Sequence, residues 1–110
     1  MNFENRIDTA IKEMFKIGYK PRIFMEMRIR DGTINAIKKL VHSTEIPSGF
    51  TTLWEKQRLD LSVENIIQEN EWINLFTEED RLLAKKRLAD YGYKRIMAII
   101  SKDAKKQCLI

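Results

Sequence analysis

Apolar residues recur at helical spacing along most of this chain. Phe3, Ile7, Ile11, Met14 and Phe15 stand at i, i+4, i+8, i+11 and i+12, which predicts an amphipathic helix over residues 3–17 with Gly18 as its stop. Pro21 suits the first turn of a second helix carrying Ile23, Phe24 and Met27, ended by Asp31-Gly32. Met25 and Met27 read as gap-filling core residues before they read as a plastic partner surface. Thr33 then offers a cap for a third helix, in which Ile34, Ile37, Leu40 and Val41 form one stripe and Lys38 and Lys39 face away.

The strongest signals lie between Pro47 and Leu88, a stretch that holds both tryptophans. Pro47-Ser48-Gly49 breaks the chain, and Ser48 can cap a short helix with Phe50, Leu53 and Trp54 on one face, stopping near Arg58. Asp60 and Ser62 are both candidate caps for the next helix, which buries Val63, Ile66 and Ile67 and carries Glu64 in its first turn. Trp72, Leu75 and Phe76 crowd too closely for a full amphipathic helix and predict an irregular or 3₁₀ turn that plugs the core. Thr77-Glu78-Glu79-Asp80 is a helix start, with Asp80 standing in for the usual Glu or Gln of a capping box. That helix runs through Ala84, Leu88 and Tyr91 to Gly92. The last segment, Tyr93 to Ile110, reads as a helix, although the run Ile96-Met97-Ala98-Ile99-Ile100 is also compatible with a strand. These elements predict an all-α, compact single-domain bundle of six or seven short helices over residues 1–110. Phe15, Leu53, Trp54, Ile66, Ile67, Trp72, Phe76, Leu83 and Leu88 are its expected core.

Gly49-Phe50, Leu53-Trp54-Glu55, the run Arg58 to Glu64, Leu75-Phe76-Thr77-Glu78-Glu79 and Ala84 to Leu88 together form a recognisable pattern. It resembles a family of small uncharacterised bacterial and phage-type helical proteins. The resemblance covers the middle and C-terminal half well and the N-terminal part loosely. It implies a standalone domain of this size or an appendage to a larger protein, in some cases a restriction or nuclease protein. The matching positions are mostly caps and core residues, so the resemblance carries over no catalytic residue.

Composition narrows the class without naming a chemistry. The chain is 44% hydrophobic and 33% charged, with four Gly and two Pro, which fits a globular helical domain. Its start lacks the apolar run of a signal peptide, and no stretch approaches the ~18 apolar residues a spanning helix needs. The single cysteine, Cys108, fits a reducing compartment. A cytoplasmic protein with no membrane contact is the expectation. Net charge is +4 but uneven: nine Lys/Arg face six Asp/Glu in residues 1–49, two face eight in 50–80, and nine face two in 81–110. An acidic middle and a basic end can attract each other within one fold or between copies, and a basic end can also meet a polyanion.

Candidate chemistry is sparse. His42, the only histidine, falls near the end of the third helix, where it can meet terminal carbonyls; no second His or Cys stands near it to make a metal or nucleophile site. Glu55, Arg58, Asp60 and Glu64 bunch at a helix junction and would suit acid-base work if they lined a cleft. Cap and first-turn roles, with Arg58 as the ion-pair partner of the acids, explain them better. The expectation is therefore no catalytic residue, no metal site and no cofactor. A basic contact surface is predicted from Lys85, Lys86, Arg87, Lys94, Arg95, Lys102, Lys105 and Lys106. The reading reached by elimination is a non-enzymatic protein-interaction module, in a restriction, phage-defence or counter-defence setting by the resemblance. Its alternative is a basic-surface accessory protein that binds nucleic acid weakly through the backbone. A protein partner is expected first, and self-association is compatible with the charge layout.

Overall fold

Local signals build the helices in the computed structural model, which describes residues 2–93. Asn2 caps α1 (Phe3–Lys16) by accepting the Asn5 N–H, and Gly18, at φ 82°, turns the chain after the helix. Then follow α2 (Arg22–Asp31), α3 (Thr33–His42), α4 (Ser48–Glu55), a 3₁₀ turn at Leu59–Leu61, α5 (Val63–Ile66), a second 3₁₀ turn at Asn70–Trp72, and α6 (Glu78–Asp90). The fold is all-α, with no strand among the described residues. The segment for which helix and strand both remained open lies outside them.

Several caps differ from those expected. Gly32, and not Thr33, precedes α3; Ser48 is the first residue of α4 and makes no cap bond. Of the two candidate caps before α5, Ser62 does the work by accepting the Asn65 N–H. Thr77 and Asp80 form the complete capping box of α6, each side chain taking the other's backbone N–H. The fourth helix ends short of Arg58 because Gln57 adopts a left-handed backbone, φ 58°, which a non-glycine residue occupies at some cost.

The core gathers around α5. Residues 61–67 are all buried, and Ile7, Ile37, Ile66 and Ile67 are among the most deeply enclosed side chains. Phe3 of α1 meets Trp72 and Phe76 edge-on, at 5.3 and 5.5 Å between ring centroids. Met25 and Met27 pack partly buried against this core. Arg28 ties the first three helices together: it donates to Asp8 Oδ1 at 2.6 Å, Glu4 Oε1 at 2.8 Å and Thr33 Oγ1 at 2.7 Å.

Three expected core residues are not in it. Phe15 is 45% exposed, Trp54 46% and Leu83 36%. On α1 the inward position is taken by Met14, one residue and about 100° earlier. On α6 the inward stripe is Asp80, Ala84, Arg87 and Leu88, which leaves Leu82 and Leu83 outside. Trp54 lies against Tyr91 edge-on at 5.3 Å, and Tyr91 stands in the same way against buried Phe50. Trp54→Ala is therefore expected to cost about 1 kcal/mol, the worth of such an aromatic pair and some partial burial, and not the 3–5 kcal/mol typical of an enclosed indole. Urea unfolding followed at 222 nm checks this.

Candidate functional site

The predicted basic surface divides once the fold is known. Lys85 and Lys86 are exposed on α6, with Lys86 Nζ 3.2 Å from Asp90 Oδ2. Arg87 does not join them: it is 8% exposed and belongs to the inner stripe of the helix. Lys94, Arg95, Lys102, Lys105 and Lys106 lie outside the described residues.

Arg87 is instead a buried clamp. Nη1 donates to Glu64 Oε2 at 2.8 Å and to the Leu40 carbonyl at 3.0 Å; Nη2 donates to the carbonyls of Val41 at 3.3 Å and Ser43 at 3.0 Å. The last carbonyls of α3, which have no partner within their own helix, are thus satisfied by an arginine from α6. Glu64 supplies the compensating charge from α5 and is itself 2% exposed. Burial pushes the Glu64 carboxyl up, against the opposing pull of the Arg87 hydrogen bond.

The junction set expected from the sequence is therefore split. Arg58 and Asp60 do pair, with Nε 3.0 Å from Oδ1, but Glu64 turns to Arg87 and Glu55 stands exposed. These four side chains do not converge on a reacting atom.

His42 meets a carboxylate and not the terminal carbonyls. Its Nε2 lies 2.6 Å from Asp80 Oδ1, while Lys38 Nζ approaches Asp80 Oδ2 at 3.6 Å. Lys38 accordingly faces α6, and Lys39 reaches Asp31 at 3.0 Å. Burial would raise the Asp80 carboxyl, but hydrogen bonds from His42 and Thr77, with Lys38 nearby, hold it below its ordinary value. A carboxyl lowered by folding stabilises the fold above its unfolded value of 3.8 and loses that contribution as pH falls through the folded one. Asp80→Asn is expected to cost about 1–2 kcal/mol at neutral pH and to flatten the acid limb of the stability profile, read from urea midpoints over a pH series.

A groove of about 750 Å³ lies between the α1–α2 turn and the connector that leads from α3 into α4. Buried Met14, Phe24, Phe50 and Leu53 are among its lining residues, together with exposed Ile23 and Ile46. Gly49 closes it at one point, where the Tyr19 hydroxyl lies so near that a Cβ on residue 49 would collide with it. Glu64 also lines the groove but is committed to Arg87. Lys20 and Arg22 line it as well, and neither forms an ion pair among the described residues, whereas Arg6, Arg28, Arg30, Arg58 and Arg87 each hold a carboxylate.

Sequence reasoning missed this groove because its residues come from three separated segments. The one local signal was Lys20-Pro21-Arg22, two cations at the start of a helix whose first turn holds no acid. Among the described residues no cluster of three or more His, Cys, Asp or Glu side chains is arranged to hold a metal ion, and no helix is long and apolar enough to cross a membrane. No protein-family model matches the chain, and comparisons with curated proteins and with solved structures find no match.

Proposed function

We propose that this chain is a non-enzymatic protein-interaction module whose contact face is the groove between the α1–α2 turn and the α3–α4 connector. The observation that carries the reading is the pairing, in one concavity, of exposed Ile23 and Ile46 with cations that form no ion pair among the described residues. Apolar surface gives such a contact its affinity, and rim charge gives it partner choice and speed of association. The one ionisable side chain enclosed in the groove wall, Glu64, already has its counterion, which argues against acid-base work there. A bacterial restriction, phage-defence or counter-defence setting rests on the resemblance alone. A cytoplasmic location rests on the lone Cys108.

Pull-down from the native cell, with nuclease-treated and untreated lysates compared, tests the reading when Ile46→Asp is run beside the wild type. The expected result is a protein retained in both lysates and lost with the variant, whose helical circular dichroism is unchanged because Ile46 is on the surface. A partner released by nuclease would favour the alternative, weak backbone binding of nucleic acid through Lys85, Lys86 and the basic residues beyond Tyr93. Full retention by Ile46→Asp would remove the groove from the contact.

A further inference from the structure

The charge around the groove is specific enough to describe its occupant. Lys20 and Arg22 flank buried Pro21, so both cations project from one short turn. Arg22 is the first residue of α2, a helix with no acid in its first turn and no side-chain cap. A cation at the positive end of a helix dipole is locally unfavourable, and no carboxylate among the described residues, Glu26 one turn further on included, forms an ion pair that relieves it. Nor does the other helix that starts in the groove relieve it, since α4 has neither a first-turn acid nor a side-chain cap bond. Against these stands one solvated acid in the lining, Glu45, because the charge of Glu64 is met by Arg87. The groove is thus apolar in its body and positive along one side. Sites where a chain breaks its own local rules without internal compensation are the sites where an external group is expected to supply it.

We infer that the groove takes an acidic amphipathic segment of a partner protein, its apolar side chains against Ile23, Phe24, Ile46 and Pro47 and a carboxylate at Lys20 and Arg22. The inference rests on the reading of the groove as a protein contact and adds the chemistry of what fills it. The fold has no sheet edge among the described residues, so the segment binds through side-chain burial and not by adding a strand. The carboxylate sets orientation and association rate, and the apolar side chains set the lifetime of the complex.

The test is a selection from a library of short random peptides on the immobilised full chain, repeated on Lys20→Glu/Arg22→Glu, Ile46→Asp and Ile23→Asp. On the wild type, the enriched sequences are expected to combine apolar residues with Asp or Glu. On the charge-reversed variant the preference switches to Lys or Arg, and peptides chosen on the wild type lose about tenfold or more in affinity, as two repelling rim contacts require. Both Asp variants lose enrichment. All these positions but partly buried Pro47 and buried Phe24 are exposed, and helical circular dichroism verifies each variant.

An unchanged preference after charge reversal overturns the inference, as does wild-type enrichment without acids. Binding of anilinonaphthalene sulfonate with no peptide enriched overturns it in favour of a small apolar anion. Loss of the native partner by Ile46→Asp together with peptides that ignore charge refutes the acidic occupant while the groove contact stands. Retention of that partner together with no enrichment refutes both.

Discussion

Arg87→Ala is expected to destabilise the fold by about 3–5 kcal/mol, the cost of removing one partner from a buried, hydrogen-bonded charge pair. The substitution removes four hydrogen bonds at once: one to Glu64 and three to the carbonyls of Leu40, Val41 and Ser43. What remains is a buried carboxyl without its counterion and, at the end of α3, the Val41 and Ser43 carbonyls without the arginine donor, while the Leu40 carbonyl keeps the Ser43 N–H. Arg87→Lys is expected to recover only part of the loss, since one ammonium cannot reproduce the fork that spans the carboxylate and the carbonyls. Glu64→Gln is milder, about 1–3 kcal/mol, because the amide oxygen still accepts from Arg87 and the carbonyls still hold the guanidinium.

The pH dependence separates the two partners. A carboxyl raised by folding contributes its stability below the unfolded value and loses it as pH rises through the folded one. The gap between wild type and Glu64→Gln should therefore narrow as pH rises. Urea midpoints for the set, followed by circular dichroism, decide the matter. A loss below about 1 kcal/mol for Arg87→Ala would mean that the carbonyls are served by water and that the pair is not a clamp.

Trp72→Ala is the second large effect, about 3–5 kcal/mol, as for other enclosed aromatic side chains. Its ring stands edge-on to Phe3, and its Nε1 donates at 2.7 Å to Glu69 Oε1, a carboxylate that also takes the fork of Arg6. Truncation opens a cavity against α1 and withdraws one donor from Glu69, but Arg6 keeps that carboxylate paired, so the cavity dominates the loss. The contrast with Trp54 is the informative part. A cost for Trp54→Ala equal to that of Trp72→Ala would contradict the half-exposed position of Trp54.

How far the candidate site was legible depended on where each residue finds its partner. The Thr77–Asp80 box could be read directly, since both members lie within one turn. Lys85 and Lys86 stand on an outer face, whereas Arg87, which the sequence reading sets beside them in one basic surface, is turned inward. Helical geometry places it three residues after Ala84 and seven after Asp80, on the inner stripe. Ala84 and Leu88 mark the apolar half of that stripe in the sequence, but its other two members, Asp80 and Arg87, are charged and leave no apolar-period signal. An apolar-period search then favours Leu83, which the fold leaves outside.

The sequence by itself determined the all-α class, the order of the helices, the turn that seats Trp72 and the start of α6. Each of these follows from spacing, capping and turn chemistry within a few residues. Tertiary structure alone decided that Arg87 clamps Glu64, 23 positions away, and Ser43, 44 positions away. It decided likewise that His42 meets Asp80 across 38 positions and that Lys20 and Arg22 border an apolar groove. The reason is physical: a charge can face inward only where another element brings its counterpart, and periodicity along one helix carries no record of what the neighbouring helix presents.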